Sequence, residues 1–351
     1  MRDIRVLVPS IGHPTRPSLV DCLHDNGERR VEVVGADMDP EGIGPHVADA
    51  FYRVPARTDV GYLDRVLEIC RTAGIDAYYA LGEEEAIGAA ERHHEFERLG
   101  VGVITPGRPD LLRIATNKAR YHQYFAERGL PHAGFGVIDR FEEIEPALRA
   151  MGYPDADVFL KPAFSKGGRG ARLVTARKHQ GPTFNASAGD APEESLETVL
   201  DALAPRPGKG FQQLLAMEYL PGTYYSVDVL SRGGSVLYAV PKIRVRGSAS
   251  NTTVGEVDLN PDVIALAEAA CAAFGFSFLQ NYEMKLDREG KPRIYDINPR
   301  GGTSLVLCAA AGANIAYYAV KMALGEAIPQ RSLRNHVRML RYYKEYFRYP
   351  Q

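Results

Sequence analysis

The segment 282–300, YEMKLDREGKPRIYDINPR, constrains the fold more than any other stretch of the chain. Two runs of alternating side chains flank a polar, glycine-containing turn, which predicts a β-hairpin. With the turn centred on residues 289 and 290, Glu283 lies opposite Asp296, and Asn298 shares their face. Two carboxylates and an amide on one surface are costly without a cation. All-oxygen ligands favour Mg²⁺ or Mn²⁺, and the alternative is a solvated hairpin with its charges outside.

The N-terminal part of the chain alternates short apolar runs with helical patterns, which predicts βαβ units around a parallel sheet. The first turn, at residues 9–14, lacks the GxGxxG fingerprint, so we expect no nucleotide in this part. Loops at the carboxyl ends of the strands, including residues 82–85, are expected to contact a second substrate. The predicted strands are Ile4–Val8, Val31–Ala36, Ala77–Leu81 and Gly102–Ile104, and the predicted helices are Ser18–Asn26, Val60–Ala73 and Glu84–Leu99.

A lysine and a glycine-rich loop follow each other in the middle of the chain. Lys161 stands in an apolar run that predicts a buried strand, where its charge needs an anionic partner. The loop at 163–171 can bring backbone N–H groups close to phosphates, because glycine permits close approach. It is not a Walker A loop, since a strand follows it rather than a helix, and the alternative is a plain hairpin turn.

Two further segments suggest binding. Residues 214–222 combine an apolar strand, Glu218 and a Pro-Gly turn, which indicates either a hinge that pairs with an adenine edge or an interdomain linker. Lys242, Arg244 and Arg246 alternate along one strand and so share a face. Three such charges need an anion, an acyl phosphate or a substrate carboxylate, and the alternative is a solvated face. The loop at 301–304 predicts a second anion site before a helix.

Length and charge limit the class of protein. A chain of 351 residues suits two or three domains, and a net charge of −2 lacks the electrostatic footprint of a nucleic-acid-binding protein. No apolar run approaches the ~20 residues of a membrane span. Four widely spaced cysteines are typical of a reduced, cytoplasmic protein. The basic, aromatic segment 331–351 is expected to pack on the body or in a homodimer rather than on RNA.

In their order along the chain, Lys118, Lys161, the glycine-rich loop, the 217–222 segment and the 283–300 hairpin resemble the ATP-grasp superfamily. The N-terminal βαβ pattern and segment 337–343 are similar to the branch related to the carbamoyl-phosphate synthase large subunit. That branch includes the pyrrolysine-biosynthesis ligase and amino-acid or peptide ligases. The resemblance implies a Rossmann-like α/β preATP-grasp domain followed by an α+β, two-subdomain ATP-grasp fold. The implied boundaries are 1–113 for the first domain, 114–220 for the central region with a lid at about 131–212, and 221–351 for the C-terminal subdomain.

The resemblance also implies roles for individual residues. Two positions depart from the family pattern: Asp296 stands where glutamate is usual, and the acid for the ribose hydroxyls is replaced, with Asp228 as a possible substitute. The implied cofactor-binding residues are Lys118, Lys161, Ser165, Lys166, Gly167, Gly168, Gly170, Glu218, Tyr219, Leu220 and Asp228; the metal ligands are Glu283, Asp296 and Asn298; the catalytic residues are Arg300, Lys242, Arg244 and Arg246.

The activity that the resemblance implies is ATP-dependent ligation of a small carboxylate, such as an amino acid, to an amine through an acyl phosphate. ATP and Mg²⁺ (or Mn²⁺) are the implied cofactors. One alternative stops at phosphoryl transfer, as in a kinase or a carbamoyl-phosphate-type synthase. Another is a regulatory subunit that binds ATP without catalysis. The presence of both metal acids together with Asn298 and Arg300 favours an enzyme over an inert variant.

Overall fold

Three β-sheets form the framework of the protein. The computed structural model describes residues 1–164, 169–177, 191–205, 208, 210–247 and 252–347. The first sheet lies within residues 4–104, the second within 135–218 and the third within 224–340. The expected domain boundaries near residues 113 and 220 fall between these sheets and stay a prediction.

The first sheet is parallel throughout, as the alternating apolar and helical pattern predicts. Its strand order is β3-β2-β1-β4-β5. The strands are β1 Ile4–Pro9, β2 Val31–Asp37, β3 Ala50–Arg53, β4 Ala77–Tyr79 and β5 Gly102–Ile104. The helices of this region are α1 Arg16–His24, α2 Gly44–Val47, α3 Tyr62–Thr72, α4 Glu83–Glu91, α5 His93–Arg98, α6 Pro109–Ala115 and α7 Lys118–Ala126.

Two features of this region differ from the sequence prediction. β3 was not predicted, because its four residues lack a long apolar run and are only partly buried. The single helix predicted over 84–99 is two helices, α4 and α5, which separate at Arg92 where the backbone leaves the helical conformation. The break lets Phe96 enter the core, where its ring stacks on Tyr78 at a centroid distance of 5.3 Å.

The second sheet has the strand order β6-β10-β7-β8-β9 and is antiparallel except between its last two strands. A 3₁₀ turn at Phe141–Glu143 leads into the first of its two helices. The strands are β6 Phe135–Ile138, β7 Val158–Pro162, β8 Arg172–Val174, β9 Glu193–Glu194 and β10 Leu214–Glu218, and the helices are α8 Ile144–Ala150 and α9 Leu196–Leu203.

The third sheet is antiparallel, in the order β15-β14-β11-β12-β13-β16. Its strands are β11 Tyr224–Arg232, β12 Ser235–Gly247, β13 Thr252–Val257, β14 Phe278–Leu286, β15 Pro292–Asn298 and β16 Arg338–Leu340. Its helices are α10 Pro261–Phe274, α11 Leu305–Ala310 and α12 Ile315–Ala323. The β14–β15 pair is the hairpin that the sequence predicts.

Apolar side chains of the first and third sheets share two cores. One contains Leu7 and Tyr78 together with Tyr225 and Phe274, and the other packs β1 and β2 against α12. The second sheet has a separate core built on Ile144, Leu160 and Val199. The cavity described below therefore lies between one large body and a smaller unit with its own core.

The C-terminal segment agrees only in part with the expectation that it packs on the body. β16 pairs with β13, and Tyr346 stacks on His46 at 5.8 Å. Tyr342, Tyr343 and Phe347 nevertheless remain more than 70% exposed (81%, 77% and 75%). The prediction that these rings pack on the body of the protein is therefore wrong, and the homodimer stays a prediction.

All four cysteines are free and buried. In the part of the chain that the structure describes, no helix combines the length and the apolar character needed to cross a membrane.

Candidate functional site

A cavity of about 650 Å³ lies where the three sheets meet. The first domain contributes loops after β1, β3 and β4, the second sheet contributes β7 and β10, and the third contributes β12, β14 and β15. Its volume is in the range of small-molecule binding sites. Of the fourteen predicted site residues that the structure describes, nine line it: Lys118, Lys161, Glu218, Leu220, Arg244, Glu283, Asp296, Asn298 and Arg300.

The two predicted metal acids face each other in the hairpin. Glu283 pairs with Asp296, and Asn298 pairs with Asn281. The ladder carries a bulge between Glu283 and Met284, which leaves Tyr295 as the extra residue on β15. The bulge brings the Tyr295 hydroxyl to Glu283, to which it donates a hydrogen bond of 3.0 Å.

A lysine and a tyrosine from α7 bind Asp296. Asn117 caps this helix by accepting a hydrogen bond from the Arg120 N–H, which fixes the helix start at Lys118. Lys118 Nζ lies 2.9 and 3.0 Å from the two Asp296 carboxylate oxygens, and the Tyr121 hydroxyl donates to Oδ1 at 2.8 Å. One turn of helix separates these two donors, so both reach the same carboxylate.

Burial and charge give the two acids opposite pKa shifts. Burial alone disfavours the ionised form of Asp296, but Lys118 and Lys161 outweigh it and lower its pKa to about 2. Burial raises the pKa of Glu283, and the charge of Asp296 raises it further. Asp296 is thus held as a carboxylate by lysines. Glu283 binds a proton more readily than an ordinary glutamate, and a bound cation would take the place of that proton.

Lys161 is buried at the end of β7 and donates to the Tyr295 carbonyl oxygen at 3.0 Å. Burial lowers its pKa to about 8, although the charge of Asp296 opposes this shift. A carbonyl dipole compensates a buried ammonium only in part. The environment of Lys161 therefore agrees with the expectation that an anion lies beside it.

Arg300 and the hinge occupy different parts of the cavity wall. Arg300 donates to the Asn298 amide oxygen at 3.2 Å and to the Gly301 carbonyl at 3.0 Å. At the hinge, Glu218 accepts a hydrogen bond from the Gly134 N–H at 3.0 Å. Tyr219 stacks on Phe159 at 6.0 Å. Glu218 and Leu220 line the cavity, whereas the predicted Tyr219 between them does not.

The glycine-rich loop is described only at its end. The predicted residues Ser165, Lys166, Gly167 and Gly168 lie outside the described residues. Gly170 has a φ of +76°, and a Cβ there would lie 2.9 Å from the Pro162 ring. Only glycine fits this turn without strain. Arg169, next to it, lines the cavity.

The three cations of β12 do not share one environment, which corrects their joint assignment to a substrate anion. Lys242 is buried and forms an ion pair with Asp228, so its counter-ion comes from the protein. Arg244 lines the cavity and donates to the Tyr224 hydroxyl at 2.8 Å. Arg246 is exposed and does not line the cavity, because the strand is irregular on either side of it.

The assignment of Asp228 to ribose binding does not fit its position. Its side chain is fully buried, and it does not line the cavity. Besides Lys242, it accepts hydrogen bonds from the Gly302 N–H at 2.7 Å and the Asn281 amide at 3.0 Å. Lys242 in turn donates to Ser304 at 3.1 Å. The Asp228–Lys242 pair therefore holds the loop at 301–304 in place through hydrogen bonds to Gly302 and Ser304.

Several cavity residues were missed by the sequence prediction. Tyr121 lies one helical turn after Lys118, and Asn281 lies two residues before Glu283 on the same strand face. Both could therefore have been predicted from the sequence. Tyr295 could not, because its place depends on the bulge. His13 and Arg57 lie in loops and Arg16 begins α1, and their meeting point depends on the tertiary fold.

Two family models match the chain. Residues 210–345 match the model described as ATP-grasp in the biosynthetic pathway with Ter operon. Residues 6–104 match the PylC-like N-terminal domain. The first match includes the hairpin with its acids, and the second includes the parallel sheet.

One similar protein is carnosine synthase 1 of Gallus gallus, which is 30% identical over 315 residues. The match covers 82% of this chain and 32% of that protein, so the chain spans less than half of its length.

Two solved structures have the same fold. The biotin carboxylase domain of Hydrogenobacter thermophilus 2-oxoglutarate carboxylase, in complex with MgADP, ADP and bicarbonate, has a TM-score of 0.67 at 18% identity and covers 95% of this chain and 73% of that one. The L-amino acid ligase of Bacillus licheniformis has a TM-score of 0.65 at 16% identity, with coverage of 95% and 79%. The expected order of a parallel-sheet domain and an ATP-grasp fold is thereby confirmed. By its two matching models and its hairpin motif, the chain belongs to the ATP-grasp family.

Proposed function

We propose that the protein is an ATP-dependent ligase that joins a small carboxylate to an amine and releases ADP and phosphate. The observation that carries this proposal is the pair of facing acids, Glu283 and Asp296, in one cavity with Lys118, Lys161 and Arg300. Buried acids and cations within one cavity form a site for a metal and a polyphosphate. Two proteins that this chain is similar to are named carnosine synthase and L-amino acid ligase, which supports the reaction class.

The oxygen donors of the hairpin fit Mg²⁺. Glu283 and Asp296 offer carboxylates, and Asn298 offers an amide oxygen. No group of three or more His, Cys, Asp or Glu side chains placed to hold a metal occurs among the described residues. This suits Mg²⁺, which binds one or two carboxylates and takes its other ligands from water and substrate phosphates. When bound, the ion would neutralise charge on the phosphate oxygens.

ATP would lie between the second and third sheets. We assign Lys118 and Lys161 to its phosphates, because both line the cavity, Lys118 half-buried against Asp296 and Lys161 buried on β7. We assign Gly170 to the phosphates as well, and Glu218 with the backbone of Tyr219 and Leu220 to the adenine. The related biotin carboxylase domain was solved with MgADP, which supports this choice of nucleotide.

In the first half of the reaction, a carboxylate oxygen of the substrate attacks the γ-phosphorus. The bond from this phosphorus to the bridging oxygen breaks, and ADP leaves with the electron pair. In the second half, the amine attacks the carbonyl carbon, phosphate leaves and the nitrogen loses a proton. Arg300 and Arg244 line the cavity and would stabilise the anions that form. The chain's main contribution is to align the reactants and exclude water.

Substrates, assembly and compartment belong to the proposal as well. We propose amino acids or similar small acids as substrates, a possible homodimer through the exposed aromatic segment, and a cytoplasmic location. Manganese remains an alternative to magnesium.

The test is ADP release with ATP and Mg²⁺ over a panel of amino acids, offered singly and in pairs. The proposal expects release that requires two compounds, with a product whose mass equals their sum less one water. Release with one compound and a phosphorylated product would instead show a kinase. ATP binding without release across the panel would contradict the ligase.

A further inference from the structure

The first domain brings a second group of cations to the cavity, apart from Lys118 and Lys161. Arg16 begins α1, Arg57 follows β3, and His13 lies in the loop after β1; all three line the cavity. Arg300 reaches this group from the third sheet. None of these three N-terminal residues was a predicted site residue, and the proposed ATP site does not use them.

The two groups of charges are distinct. The strongest charged neighbours of Asp296 are Lys118 and Lys161. Those of His13 are Arg16, Arg300 and Arg57. Arg300 therefore stands at the junction, beside Asn298 on one side and the N-terminal cations on the other. A ligand at the second group would face the transferred acyl group without competing for the phosphate site.

Arg16 is only partly compensated by the protein. Its Nε is buried and has no hydrogen-bond partner among the described residues, and those residues place no carboxylate within ion-pair distance of it. Burial and the charges of Arg300 and Arg57 lower its pKa to about 10, although the charges of Glu85 and Asp37 oppose this shift. A buried Nε–H group without a partner is costly, so its cost indicates that a ligand completes the site.

The acidic side chains near these cations already have partners within the protein. Glu85 is buried and accepts hydrogen bonds from two tyrosines, Tyr62 and Tyr78, and from the Leu81 and Gly82 N–H groups. Asp37 accepts from the Gly12 N–H at 2.9 Å. Glu83 lines the cavity toward Lys118, whose pKa it helps to raise. His13 accepts a hydrogen bond from the Thr15 N–H at Nδ1, and burial and the arginines lower its pKa, so it adds no positive charge at neutral pH.

We propose that Arg16 and Arg57, with Arg300, bind an oxyanion carried by the amine substrate, so that the acceptor is an amine with a carboxylate or a phosphate group. Guanidinium groups match both oxyanions through paired N–H donors. The oxyanion holds the acceptor at the N-terminal wall, and its nitrogen points toward the acyl carbon beside Arg300. This inference rests on the proposed ligase function and specifies its second substrate.

A glycine supports the position of Arg57. A Cβ on Gly82 would lie 2.3 Å from an Arg57 guanidinium nitrogen, so a larger residue there would push the end of this arginine away from its observed position. Gly82 has an extended backbone that alanine also adopts, so Gly82→Ala displaces Arg57 without straining the main chain. This variant tests Arg57 while its charge is kept.

The experiment separates acyl activation from acceptance of the amine. Hydroxylamine captures the activated acyl group without using an acceptor site, and its product is measured beside amide formation. Arg16→Met, Arg57→Met and Gly82→Ala are compared with Arg71→Met, an exposed arginine on α3 that does not line the cavity. We expect the three variants to keep hydroxamate formation and to raise the KM for the amine about tenfold or more, and Arg71→Met to change neither.

The choice of amine identifies the oxyanion. Amino acids, their carboxamides and phosphate-bearing amines are offered in turn. Loss of preference for the acid over its carboxamide in the variants assigns a carboxylate, and loss of preference for the phosphate ester assigns a phosphate; both support the subsite. An unchanged KM for the amine, or an equal fall in hydroxamate, would overturn it. Absence of hydroxamate with the unaltered protein would instead refute the ligase itself.

Discussion

Asp296 is the residue on which the proposed chemistry depends most. Lys118 and Tyr121 hold its carboxylate in a direction set by α7, while the hairpin places it opposite Glu283. The low pKa that Lys118 and Lys161 confer against the effect of burial keeps it ionised at any working pH. Lys118 thus fixes the orientation of this short acidic side chain.

Asp296→Asn removes this charge with little change in shape. We expect turnover of ATP to fall about 100-fold or more, because a ligand for the cation and the partner of Lys118 are lost together. ADP release measures the effect, and a thermal melt checks that the fold persists. The matched control is Asp262→Asn, whose carboxylate forms an exposed ion pair with Lys291 at 3.3 Å. Near-normal turnover in Asp296→Asn would contradict the assignment of this residue.

The buried pair Asp228–Lys242 makes a different prediction, about stability. Asp228→Ala leaves the Lys242 ammonium buried without its partner, so we expect a loss of about 3–5 kcal/mol in the free energy of unfolding. Asp228→Leu combined with Lys242→Met removes both charges and should recover most of that loss. Urea unfolding measures both variants.

Turnover should not recover in the double variant, because the Gly302 N–H still lacks its acceptor and the 301–304 loop loses support. Full activity in the double variant would show that the pair serves stability alone. A double variant as unstable as the single one would contradict the account of a paired charge.

At the scale of elements, the hinge between β10 and β11 connects the second sheet to the third beside the proposed nucleotide site. A Cβ on Gly222 would lie 2.6 Å from the Leu286 backbone oxygen, so β14 and the hinge touch directly. Gly290, in the β14–β15 turn, has a φ of +75° and open space around it. Gly222 is therefore needed for its close approach to β14, and Gly290 is needed for its backbone conformation.

Gly222→Ala should lower the free energy of unfolding by about 1–3 kcal/mol and raise the KM for ATP, since the hinge must move away from β14. Gly290→Ala serves as the control: it should cost about 1 kcal/mol and leave the KM for ATP unchanged. Denaturant unfolding and steady-state kinetics measure the pair. An unchanged KM in Gly222→Ala would contradict the role of this hinge in binding the nucleotide.

The same elements show what the sequence could and could not predict. The pairing of Glu283 with Asp296 follows from strand alternation and a recognisable turn, both of which are local. The counter-ion of Lys242 lies on β11, and the register of β11 against β12 is not encoded in either strand alone. Tyr295 depends on a bulge, and Arg16 and Arg57 on loops of the first domain. Local periodicity thus predicted the hairpin, whereas contacts between distant segments required the structure.

For the whole molecule, the arrangement of the hydrophobic cores predicts which part of the protein unfolds locally first. The first and third sheets share two cores, and α12 docks on the first domain through hydrogen bonds from Tyr79 to the Ala316 carbonyl and from Lys321 to Glu28. The second sheet relies on its own smaller core. Smaller cores open at lower free energy, and binding elements belong to the less stable part of a protein.

Hydrogen exchange should therefore show two units. We expect amides of β6, β7 and β10 to exchange faster than those of β1 and β11, which should exchange together. Added ATP with Mg²⁺ should protect the second sheet more than the first. Independent exchange of β1 and β11 would contradict a shared body, and equal protection of all three sheets would contradict a nucleotide held by the second.

The central claim is that the cavity activates a carboxylate by phosphorylating it, and oxygen transfer tests this most directly. The carboxylate substrate identified by the panel is labelled with ¹⁸O and allowed to react with ATP and the amine, and the released phosphate is analysed by mass spectrometry. The account predicts one ¹⁸O atom in each phosphate, because the attacking oxygen leaves with the phosphoryl group. Formation of the amide with phosphate free of label would contradict it, because the oxygen lost from the carboxylate would then have left by another route.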